Sequence, residues 1–581
     1  MAAENLLKEF PPVSTEAWEE AIARDLKGAE YAKKLIWQTP EGLAVKPYYR
    51  AEDISGLDYL DGAPGDFPYV RGAGRAGGWR IREEIDAANP EEANREAQSA
   101  VAAGAEEIAF RNTAVANASD LAMLLVNLDG IPIHFENASV PLLRLLIARL
   151  GERQRMSPVS ADFDPLTNLD FAAELLRNAA PAFAPFVIHG ERFEESGATA
   201  QEEAGFALAA GVDFLAEMQA RAIDVNAAAA SLAFSFAMGA NYFFQIAKLR
   251  AFRMVWAQAV ESFGGSKESA KARLHARTSR WNETVYDPHV NILRATTEAM
   301  AAVLGGADSV SVAPFDECYK APDAASRRLA RNTQILLKQE ALLARVADPG
   351  AGSYCLEAIT DFIAREAWKT MRAIESDGGF GRAQADGTIA RALARSMAAR
   401  EKAVVSRRSV FTGTNQYANL AEKALERIDL SRLSEQRATH AYEQLRLRTE
   451  RHTAKTGKNP RVLLAEIGDV KMRGARSGFA ANFFACAGFD IVTRRFANVQ
   501  EIAAADADLI VLCSSDAEYL ALAAEVIANL KKLGSAAQII VAGNPESAEA
   551  LREAGVADFI HIRSNPIELL TTWQQRLGIS E

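Results

Sequence analysis

Three histidines in the 581-residue chain lie on short apolar segments that are typical of buried strands, namely His134, His189 and His275. Imidazole gains and loses a proton near neutral pH, so a histidine at the mouth of a barrel could serve as an acid, a base or a hydrogen-bond donor. His275 is the best placed, between Arg273 and Arg277. None of the three has a nucleophile or a base beside it in the sequence, so a structural hydrogen bond is the favoured interpretation for each.

A glycine-rich hexapeptide, Gly72–Gly77, matches the fingerprint that binds the pyrophosphate of dinucleotides. That fingerprint needs a strand before it and a helix N-terminus after it. The following stretch, Trp79–Arg82, alternates like an extended segment rather than a helix start, so we predict a flexible or tight loop for the hexapeptide. The phosphate-binding pattern Gly-x-x-x-x-Gly-Lys-Ser/Thr does not occur in the sequence.

The composition excludes several classes of protein. Lysine and arginine number 65 against 76 aspartate and glutamate residues, a net charge of −11, which disfavours a nucleic-acid binder. Apolar residues make up 49% of the chain and charged residues 24%, as in globular proteins with a large core. No stretch approaches the ~20 apolar residues of a membrane span, and the first residues are too acidic for a signal or transit peptide.

Cysteine usage indicates the redox environment. The spacing of the four cysteines does not resemble a metal site, and they are Cys318, Cys355, Cys486 and Cys513. We therefore expect a reducing cytoplasm and no membrane or nucleic-acid partner.

The central part of the chain, from about residue 105 to 400, alternates short apolar runs with longer helical stretches. The candidate strands are Glu107–Arg111, Ile131–Glu136, Val159–Asp164, Phe186–Glu191, Leu232–Met238, Ala272–Ser279 and Ser309–Val312. The helical stretches between them include Glu202–Ala210, Asn241–Phe263, Asn291–Leu304 and Ala324–Val346. This rhythm predicts parallel βα units, and seven or eight in one run favour a closed (β/α)8 barrel of the TIM type over an open sheet.

The two ends of the chain differ from this central part. Residues 1–60 form an arm, with a predicted helix at Ser14–Lys27 that Gly28 ends. Residues 61–400 hold the barrel, and residues 401–460 form a linker. The charged part of that linker, Arg446–Pro460, is interpreted as a solvated linker or surface helix.

A second, shorter βα series fills residues 461–581. The candidate strands are Val462–Glu466, Leu509–Ser514, Ala537–Val541 and Phe559–Ile562. About 120 residues with this pattern suit a small, doubly wound, Rossmann-like sheet.

Several distinctive segments follow one another in a fixed order along nearly the whole chain. They are Ser196–Thr199, Gly239–Arg250, Arg277–Trp281, Glu298–Ala301, Gly305–Gly306, Phe315–Glu317, Arg331–Gln334, Asp348–Tyr354 and Asn415–Tyr417. Together they resemble the adenosylcobalamin-dependent acyl-CoA mutases, methylmalonyl-CoA mutase in particular. The resemblance implies an N-terminal arm, a TIM-type barrel for acyl-CoA, a linker and a flavodoxin-like cobalamin-binding domain, which agrees with the layout above.

The cobalamin motif of that family is altered in this chain. The family's Asp-x-His-x-x-Gly, whose histidine ligates cobalt, reads Asp469, Lys471 and Gly474 here, so Lys471 replaces the ligand. A lysine ammonium has no free lone pair at neutral pH, unlike imidazole. The family's Ser-x-Leu reads Ser514–Asp516, and its Gly-Gly reads Ala542–Gly543. We therefore expect these positions (Asp469, Lys471, Gly474, Ser514 and Gly543) to be vestigial and to hold neither cofactor nor metal.

The barrel positions that the resemblance marks as substrate-contacting are also altered. A Tyr-His-Met-Gln segment reads Glu191–Glu194, and an expected arginine and serine read Ser231 and Ala233. An expected glutamine is Arg277, and the loop that carries a tyrosine in active members is shortened to Ala73–Gly78. Radical chemistry needs a shielded site, so we expect no catalytic residue in this chain.

The combined pattern resembles the non-catalytic small chains of heterodimeric members of the family. The resemblance implies a large-chain partner that carries adenosylcobalamin and interconverts (R)-methylmalonyl-CoA and succinyl-CoA, with the arm against that partner. One alternative is a catalytically active mutase that binds cobalamin without a protein histidine. Another is a cobalamin-free acyl-CoA-binding or regulatory protein.

Overall fold

The fold begins with a small arm of two helices and a hairpin. The structure, a computed structural model, describes residues 13–74, 78–152, 159–178 and 184–579. The arm elements are α1 (Thr15–Asp25), α2 (Tyr31–Leu35), β1 (Trp37–Gln38) and β2 (Ala44–Val45). The Ser14 side chain caps α1 by accepting a hydrogen bond from the Ala17 amide, which confirms the predicted helix start. No residue of α1 is buried, so this helix adds no side chain to a core.

Eight parallel strands close into a barrel, which confirms the predicted TIM-type architecture. They are β3 (Arg80–Asp86), β4 (Glu107–Arg111), β5 (Ile133–Phe135), β6 (Val159–Phe163), β7 (Ala184–His189), β8 (Leu232–Met238), β9 (Leu274–Thr278) and β10 (Ser309–Ser311). Sequence analysis did not identify β3 as a barrel strand, because five of its seven residues are arginine, glutamate or aspartate. The predicted strand Phe186–Glu191 is too long, since a helix begins at Gly190.

The barrel helices lie outside the strands. They are α3 (Pro90–Ala102), α4 (Ala118–Leu124), α5 (Val140–Glu152), α6 (Leu169–Asn178), α7 (Gly190–Glu195), α8 (Ala200–Ala220), α9 (Val225–Ser231), α10 (Tyr242–Ser262), α11 (Val290–Leu304), α12 (Ala324–Gln339), α13 (Tyr354–Ser376), α14 (Phe380–Ala385) and α15 (Thr388–Val405). The outward side chains of β8 pack on α10, where Phe234 meets Phe252 and Trp256 at centroid distances of 4.6 and 4.8 Å. The apolar core therefore lies between strands and helices and leaves the barrel interior to other side chains.

The connecting segment contains one long helix, α16 (His440–Thr456). The interpretation of Arg446–Pro460 as solvated is wrong for its first half, because Arg446 and Glu450 are buried. The Arg446 guanidinium lies 4.0 Å from the centroid of the Tyr286 ring. The Glu450 carboxylate accepts hydrogen bonds of 3.0 Å from the backbone amides of Ala424 and Leu425. These contacts satisfy charges that the sequence alone assigns to solvent.

The loop after β9 is joined to this connecting segment. The Ala438 amide donates to the Trp281 carbonyl over 3.0 Å, and the Val285 amide donates to the Glu443 carboxylate over 2.9 Å. The Trp281 side chain belongs to the same apolar core as Tyr442 and residues of the C-terminal sheet. The barrel and the C-terminal sheet therefore share a core.

The C-terminal part is a five-stranded parallel sheet in the order β12-β11-β13-β14-β15. Its elements are β11 (Arg461–Glu466), α17 (Val470–Ala485), β12 (Asp490–Arg495), α18 (Val499–Ala503), β13 (Leu509–Cys513), α19 (Tyr519–Leu533), β14 (Gln538–Ala542), α20 (Ala548–Ala554), β15 (Asp558–Ile560) and α21 (Pro566–Arg576). Sequence reasoning missed β12, because this edge strand is largely exposed and carries polar residues. No helix in the described ranges is both long and apolar enough to cross a membrane.

Candidate functional site

The barrel interior is polar and encloses a cavity of about 460 Å³, which extends from Arg80 and Asp308 at the amino ends of the strands to Asp86 and Glu136 at their carboxyl ends. Alternate residues of a strand face the interior, and here those positions carry charged side chains such as Arg82 and Glu84 on β3 and His275 and Arg277 on β9. TIM-type barrels are usually filled by branched apolar residues at these positions. The interior is therefore organised by ion pairs and hydrogen bonds.

A first layer of these contacts lies deep in the barrel. The Arg82 guanidinium donates to the Glu107 carboxylate over 2.6 and 3.0 Å. His134 bonds the Ser160 hydroxyl at 2.9 Å, and His275 bonds the Ser309 hydroxyl at 2.8 Å. Burial, followed by the nearby Arg82 charge, lowers the pKa of both His134 and His275 well below the usual value. Both imidazoles are therefore neutral hydrogen-bond partners, in agreement with their structural interpretation.

His189 is different, because carboxylates contact both of its ring nitrogens. Asp162 bonds one nitrogen closely, and Glu191 lies 2.5 Å from the other. Burial lowers the pKa of His189, but the Glu191 charge and the two hydrogen bonds outweigh it and raise that pKa to about 10. The pKa of Glu191 falls to about 2, because the His189 charge overcomes the effect of burial. His189 is thus a fixed cation rather than a group that exchanges protons at neutral pH.

A second layer of ion pairs crosses the mouth of the barrel. Glu84 lies 3.5 Å from both Arg277 and Arg111, and Glu317 lies 3.0 Å from Arg111 and 3.2 Å from Arg280. Burial raises the pKa of Glu317, but Arg280, Arg111 and Arg277 lower it to about 2. Each guanidinium in this layer therefore faces a carboxylate of the same chain.

The carboxyl group of Glu136 differs from those of Glu84 and Glu317, whose pKa values are lowered. Burial and the neighbouring Glu84 charge raise the pKa of Glu136 to about 7. Glu136 is therefore partly protonated at neutral pH, and it relieves repulsion among the acidic groups of the cavity.

The segment Glu191–Glu194 lies in α7, and its side chains contact other elements of the chain. Arg192 donates to the Asn137 side-chain oxygen over 3.1 Å. The Phe193 ring packs against that of Phe380, 6.1 Å away, and Glu194 pairs with Arg400 at 2.7 Å. These side chains hold α7 against α14 and α15.

Two further predicted substrate positions lie on or beside β8. The Ser231 hydroxyl donates to the Ala228 carbonyl over 2.7 Å, and Ala233 lines the cavity without a polar group. The shortened loop Ala73–Gly78 and the hexapeptide Gly72–Gly77 both include residues 75–77, which lie outside the described residues. Gly72 itself closes a turn by donating to the Tyr69 carbonyl, and a strand rather than a helix follows.

At the C-terminal sheet, the positions of the altered cobalamin motif follow β11. The Asp469 carboxylate caps α17 by accepting from the Met472 amide over 2.7 Å. Lys471 and Gly474 are exposed, and the Lys471 side chain makes no hydrogen bond or ion pair with any residue that the structure describes. Among the described residues, no three or more His, Cys, Asp and Glu side chains are grouped to hold a metal ion.

The remaining two motif positions follow β13 and β14. The Ser514 hydroxyl donates to the Glu518 carboxylate over 2.6 Å. Gly543 lies against an ion pair between Arg476 and Asp516, in which the atoms are 2.9 Å apart. A Cβ at Gly543 would lie 3.1 Å from the Asp516 carboxylate. Side chains of the chain itself therefore occupy the space beside both positions.

Comparison with known proteins identifies the family. A family model described as methylmalonyl-CoA mutase matches residues 38–123 and 160–471. The chain belongs to the methylmalonyl-CoA mutase family. It is 38% identical to a methylmalonyl-CoA mutase small subunit of Porphyromonas gingivalis, over 99% of each chain. It is 32% identical to a small subunit of Streptomyces virginiae, over 99% of this chain and 98% of that one.

The similarity to a mutase large subunit covers less of the chain. The large subunit of Streptomyces virginiae is 30% identical, over 82% of this chain and 71% of that one.

Two of the segments that carry the family resemblance make structural contacts in this chain. Arg250 is fully buried and pairs with both Asp348 and Glu357 at 3.0 Å. The Asn415 side-chain oxygen accepts from the Phe411 amide over 2.7 Å.

Sequence reasoning missed several residues of this mutase-family site. Asp162, Glu136 and Glu317 became site residues only when the barrel closed, since they lie far apart in the chain. Glu518 had a local signal, because Ser515 three residues before it gives the Ser-x-x-Glu spacing of a helix start. Arg476 had none.

Proposed function

We propose that this chain is the non-catalytic small subunit of a heterodimeric methylmalonyl-CoA mutase. In this proposal, a large-subunit partner binds adenosylcobalamin and interconverts (R)-methylmalonyl-CoA and succinyl-CoA by radical rearrangement. The observation that carries the proposal is the ion network at the barrel mouth, in which Glu84 pairs with both Arg277 and Arg111, and Arg111 pairs with Glu317. The high identity to proteins named small subunit also supports it.

The network argues against acyl-CoA in this barrel. A CoA thioester is a long polyanion, and its entry would separate buried pairs such as Arg82 with Glu107 and Arg277 with Glu84. Leaving one member of a buried ion pair uncompensated costs about 3–5 kcal/mol. The barrel is therefore best suited to a supporting role.

The C-terminal sheet does not fit cobalamin either. We infer that this sheet is a flavodoxin-like domain, because its strand order is that of the doubly wound fold. The family's cobalt ligand is a histidine nitrogen, and the residue at that position is the exposed Lys471, whose ammonium has no free lone pair for a metal cation. The Arg476–Asp516 pair occupies the space beside Gly543. We therefore derive no step through cobalamin on this chain.

The arm supports a subunit contact. We take residues 1–60 as this arm, 61–400 as the barrel, 401–460 as the connecting segment and 461–581 as the cobalamin-type domain. Trp18 and Trp37 of the arm are 46% and 49% exposed, and α1 buries no residue. Exposed large aromatic side chains of this kind suit a contact surface. The large subunit is the proposed occupant, and the free thiols of all four cysteines suit the cytoplasm.

The experiment compares the purified chain alone and co-expressed with a mutase large subunit. We expect the visible spectrum of adenosylcobalamin to stay unchanged on titration with the chain alone, and methylmalonyl-CoA turnover only in the co-purified pair. Turnover by the chain alone, or a stoichiometric cobalamin complex, would favour the catalytic alternative. Saturable binding of CoA to the chain alone, without turnover, would favour the acyl-CoA-binding alternative.

A further inference from the structure

The crevice of the C-terminal sheet lies between β11 and β13. The chain leaves β11 for β12 on one side and returns to β13 on the other, so the loops after β11 and β13 diverge there. Ligands of doubly wound sheets bind in such a crevice, at the carboxyl ends of the strands. The contents of this crevice therefore decide whether the domain can take a ligand.

One side chain joins the two diverging loops. The Glu518 Oε2 atom accepts a 3.1 Å hydrogen bond from the Asp469 amide, which belongs to the loop after β11. The same atom accepts from the hydroxyls of Ser514 and Ser515, both over 2.6 Å, and from the Ser515 amide over 3.2 Å. Four donors thus converge on one carboxylate oxygen across the crevice.

The backbone opposite Glu518 is shaped to admit it. Gly468 has a φ of +75°, in the left-handed region that favours glycine. A Cβ at Gly468 would lie 2.5 Å from Glu518 Oε2 and 2.5 Å from the Ser514 hydroxyl oxygen. Any other residue at this position would push the carboxylate out of the crevice.

The Glu518 carboxylate is also held in its charged form. Hydrogen bonds from the hydroxyls of Ser514 and Ser515, and then from the Asp469 amide, lower the pKa of Glu518 to about 2. The donor set therefore recognises an anion, as backbone amides at the start of a helix commonly do.

We propose that Glu518 is a built-in occupant of this crevice, where its carboxylate replaces the phosphate of an external ligand and fastens the loops after β11 and β13 together. This inference rests on the proposed function and deepens it, because it gives a physical reason why this domain does not bind a cofactor in the crevice. It makes the crevice an anion site that the chain fills itself.

The test removes the carboxylate and supplies inorganic phosphate as the probe. In the full chain, E518A leaves the Asp469 amide and the two serines without an acceptor. We expect phosphate to raise the midpoint of thermal unfolding of E518A saturably and to bind it roughly tenfold or more tightly than it binds the wild-type chain, because charge-assisted hydrogen bonds are strong. The matched control is E525A, on the exposed side of the same helix, which should respond to phosphate like the wild type.

Two results would overturn the inference. One is phosphate binding to the wild-type chain as tight as to E518A, and the other is an E518A that binds no phosphate. Should E518A fail to fold, amide hydrogen exchange in E518Q decides the question. We expect faster exchange at Asp469 and Ser515 than in the wild type, and unchanged exchange at both overturns the inference.

The phosphate experiment and the test of the proposed function can fail independently of each other. Cobalamin binding by the wild-type chain would contradict the proposed function, whereas the phosphate comparison judges Glu518 alone.

Discussion

The guanidinium of Arg277 lies 3.5 Å from the carboxylate of Glu84 across the mouth of the barrel. These two residues come from β9 and β3, which do not pair with each other because β10 lies between them. The ion pair therefore spans the place where a substrate would enter. Its neighbours Arg111 and Glu317 extend it into a network that neutralises itself.

The first prediction concerns that pair. R277Q introduces the residue expected in active family members, but it leaves Glu84 with one partner fewer in a buried site. We expect a loss of about 3 kcal/mol in the free energy of unfolding, measured with denaturant, and no gain of mutase activity. The control is R144Q, which breaks an exposed pair with Glu174 and should cost roughly 0.5 kcal/mol or less. Equal effects of the two substitutions would contradict the network as described.

The second prediction is a pH dependence that His189 imposes. Its folded pKa of about 10 exceeds the ordinary value of 6.5, so its stabilising effect is full below pH 6.5 and is lost as the pH rises through 10. H189Q removes this effect and should cost about 3 kcal/mol at neutral pH. The difference in unfolding free energy between wild type and H189Q should shrink between pH 6.5 and 10. A difference that stays constant over that range would show that His189 is not charged.

The second prediction has an acid counterpart at Glu191, the carboxylate partner of His189. Its folded pKa of about 2 lies below the ordinary value of 4.5, so its contribution is full above pH 4.5 and is lost as the pH falls through 2. The difference in the free energy of unfolding between the wild type and E191Q should therefore shrink as the pH falls from 4.5 towards 2. Chemical denaturation at a series of acidic pH values measures this difference.

The third prediction is that K471H does not restore cobalamin binding. An imidazole would return to the position expected to ligate cobalt, but Glu518 would still hold the adjacent crevice and the Arg476–Asp516 pair would still lie beside Gly543. The visible spectrum of adenosylcobalamin should remain that of the free cofactor. A histidine-bound spectrum would mean that Lys471 alone prevents binding.

The fourth prediction tests the arm as a contact surface. The double substitution W18A/W37A should weaken co-purification with a large subunit by roughly tenfold or more, since buried aromatic anchors dominate interfaces. It should leave the thermal unfolding of the isolated chain nearly unchanged, because neither side chain is in the core. L293A, at an exposed position on α11, provides the control. Undiminished co-purification of the double variant would reject the arm as the contact.

The fifth prediction concerns the shared core. W281A removes an indole that packs with Tyr442 and lies 4.3 Å from the Arg400 guanidinium. We expect W281A to lower the free energy of unfolding by about 3–5 kcal/mol. In calorimetry, the single unfolding transition of the wild type should become two transitions in the variant. A single unshifted transition would show that the barrel and the sheet do not depend on Trp281 for their cooperation.

The sequence was sufficient for the fold wherever strands carry continuous apolar runs. Leu232–Met238 and Glu107–Arg111 were predicted with their observed bounds, because their outward residues form the core. β3 and β12 were missed, since charged inward positions in one and an exposed edge in the other break the apolar pattern. The burial of α16 was missed as well, because its charges find partners in distant loops.

The candidate site was less accessible to sequence reasoning. Lys471 was identifiable because it stands inside a short motif, whose residues are close in the chain. Glu518 is 49 residues from Asp469, and Asp162 is 27 residues from His189, so no local pattern predicts either contact. Only the folding of the barrel and of the C-terminal sheet brings these groups together.

The absence of buried residues in α1 has a consequence for how the chain is handled in the cell. A helix without core contacts opens locally at little cost, and proteases cut where the backbone opens. If the proposed heterodimer forms through the arm, a copy of this chain made in excess of the large subunit would be trimmed at the arm first. Cleavage near Trp18 would then report how much of the chain is unassembled, and synthesis of the two proposed subunits in equal amounts would protect this arm.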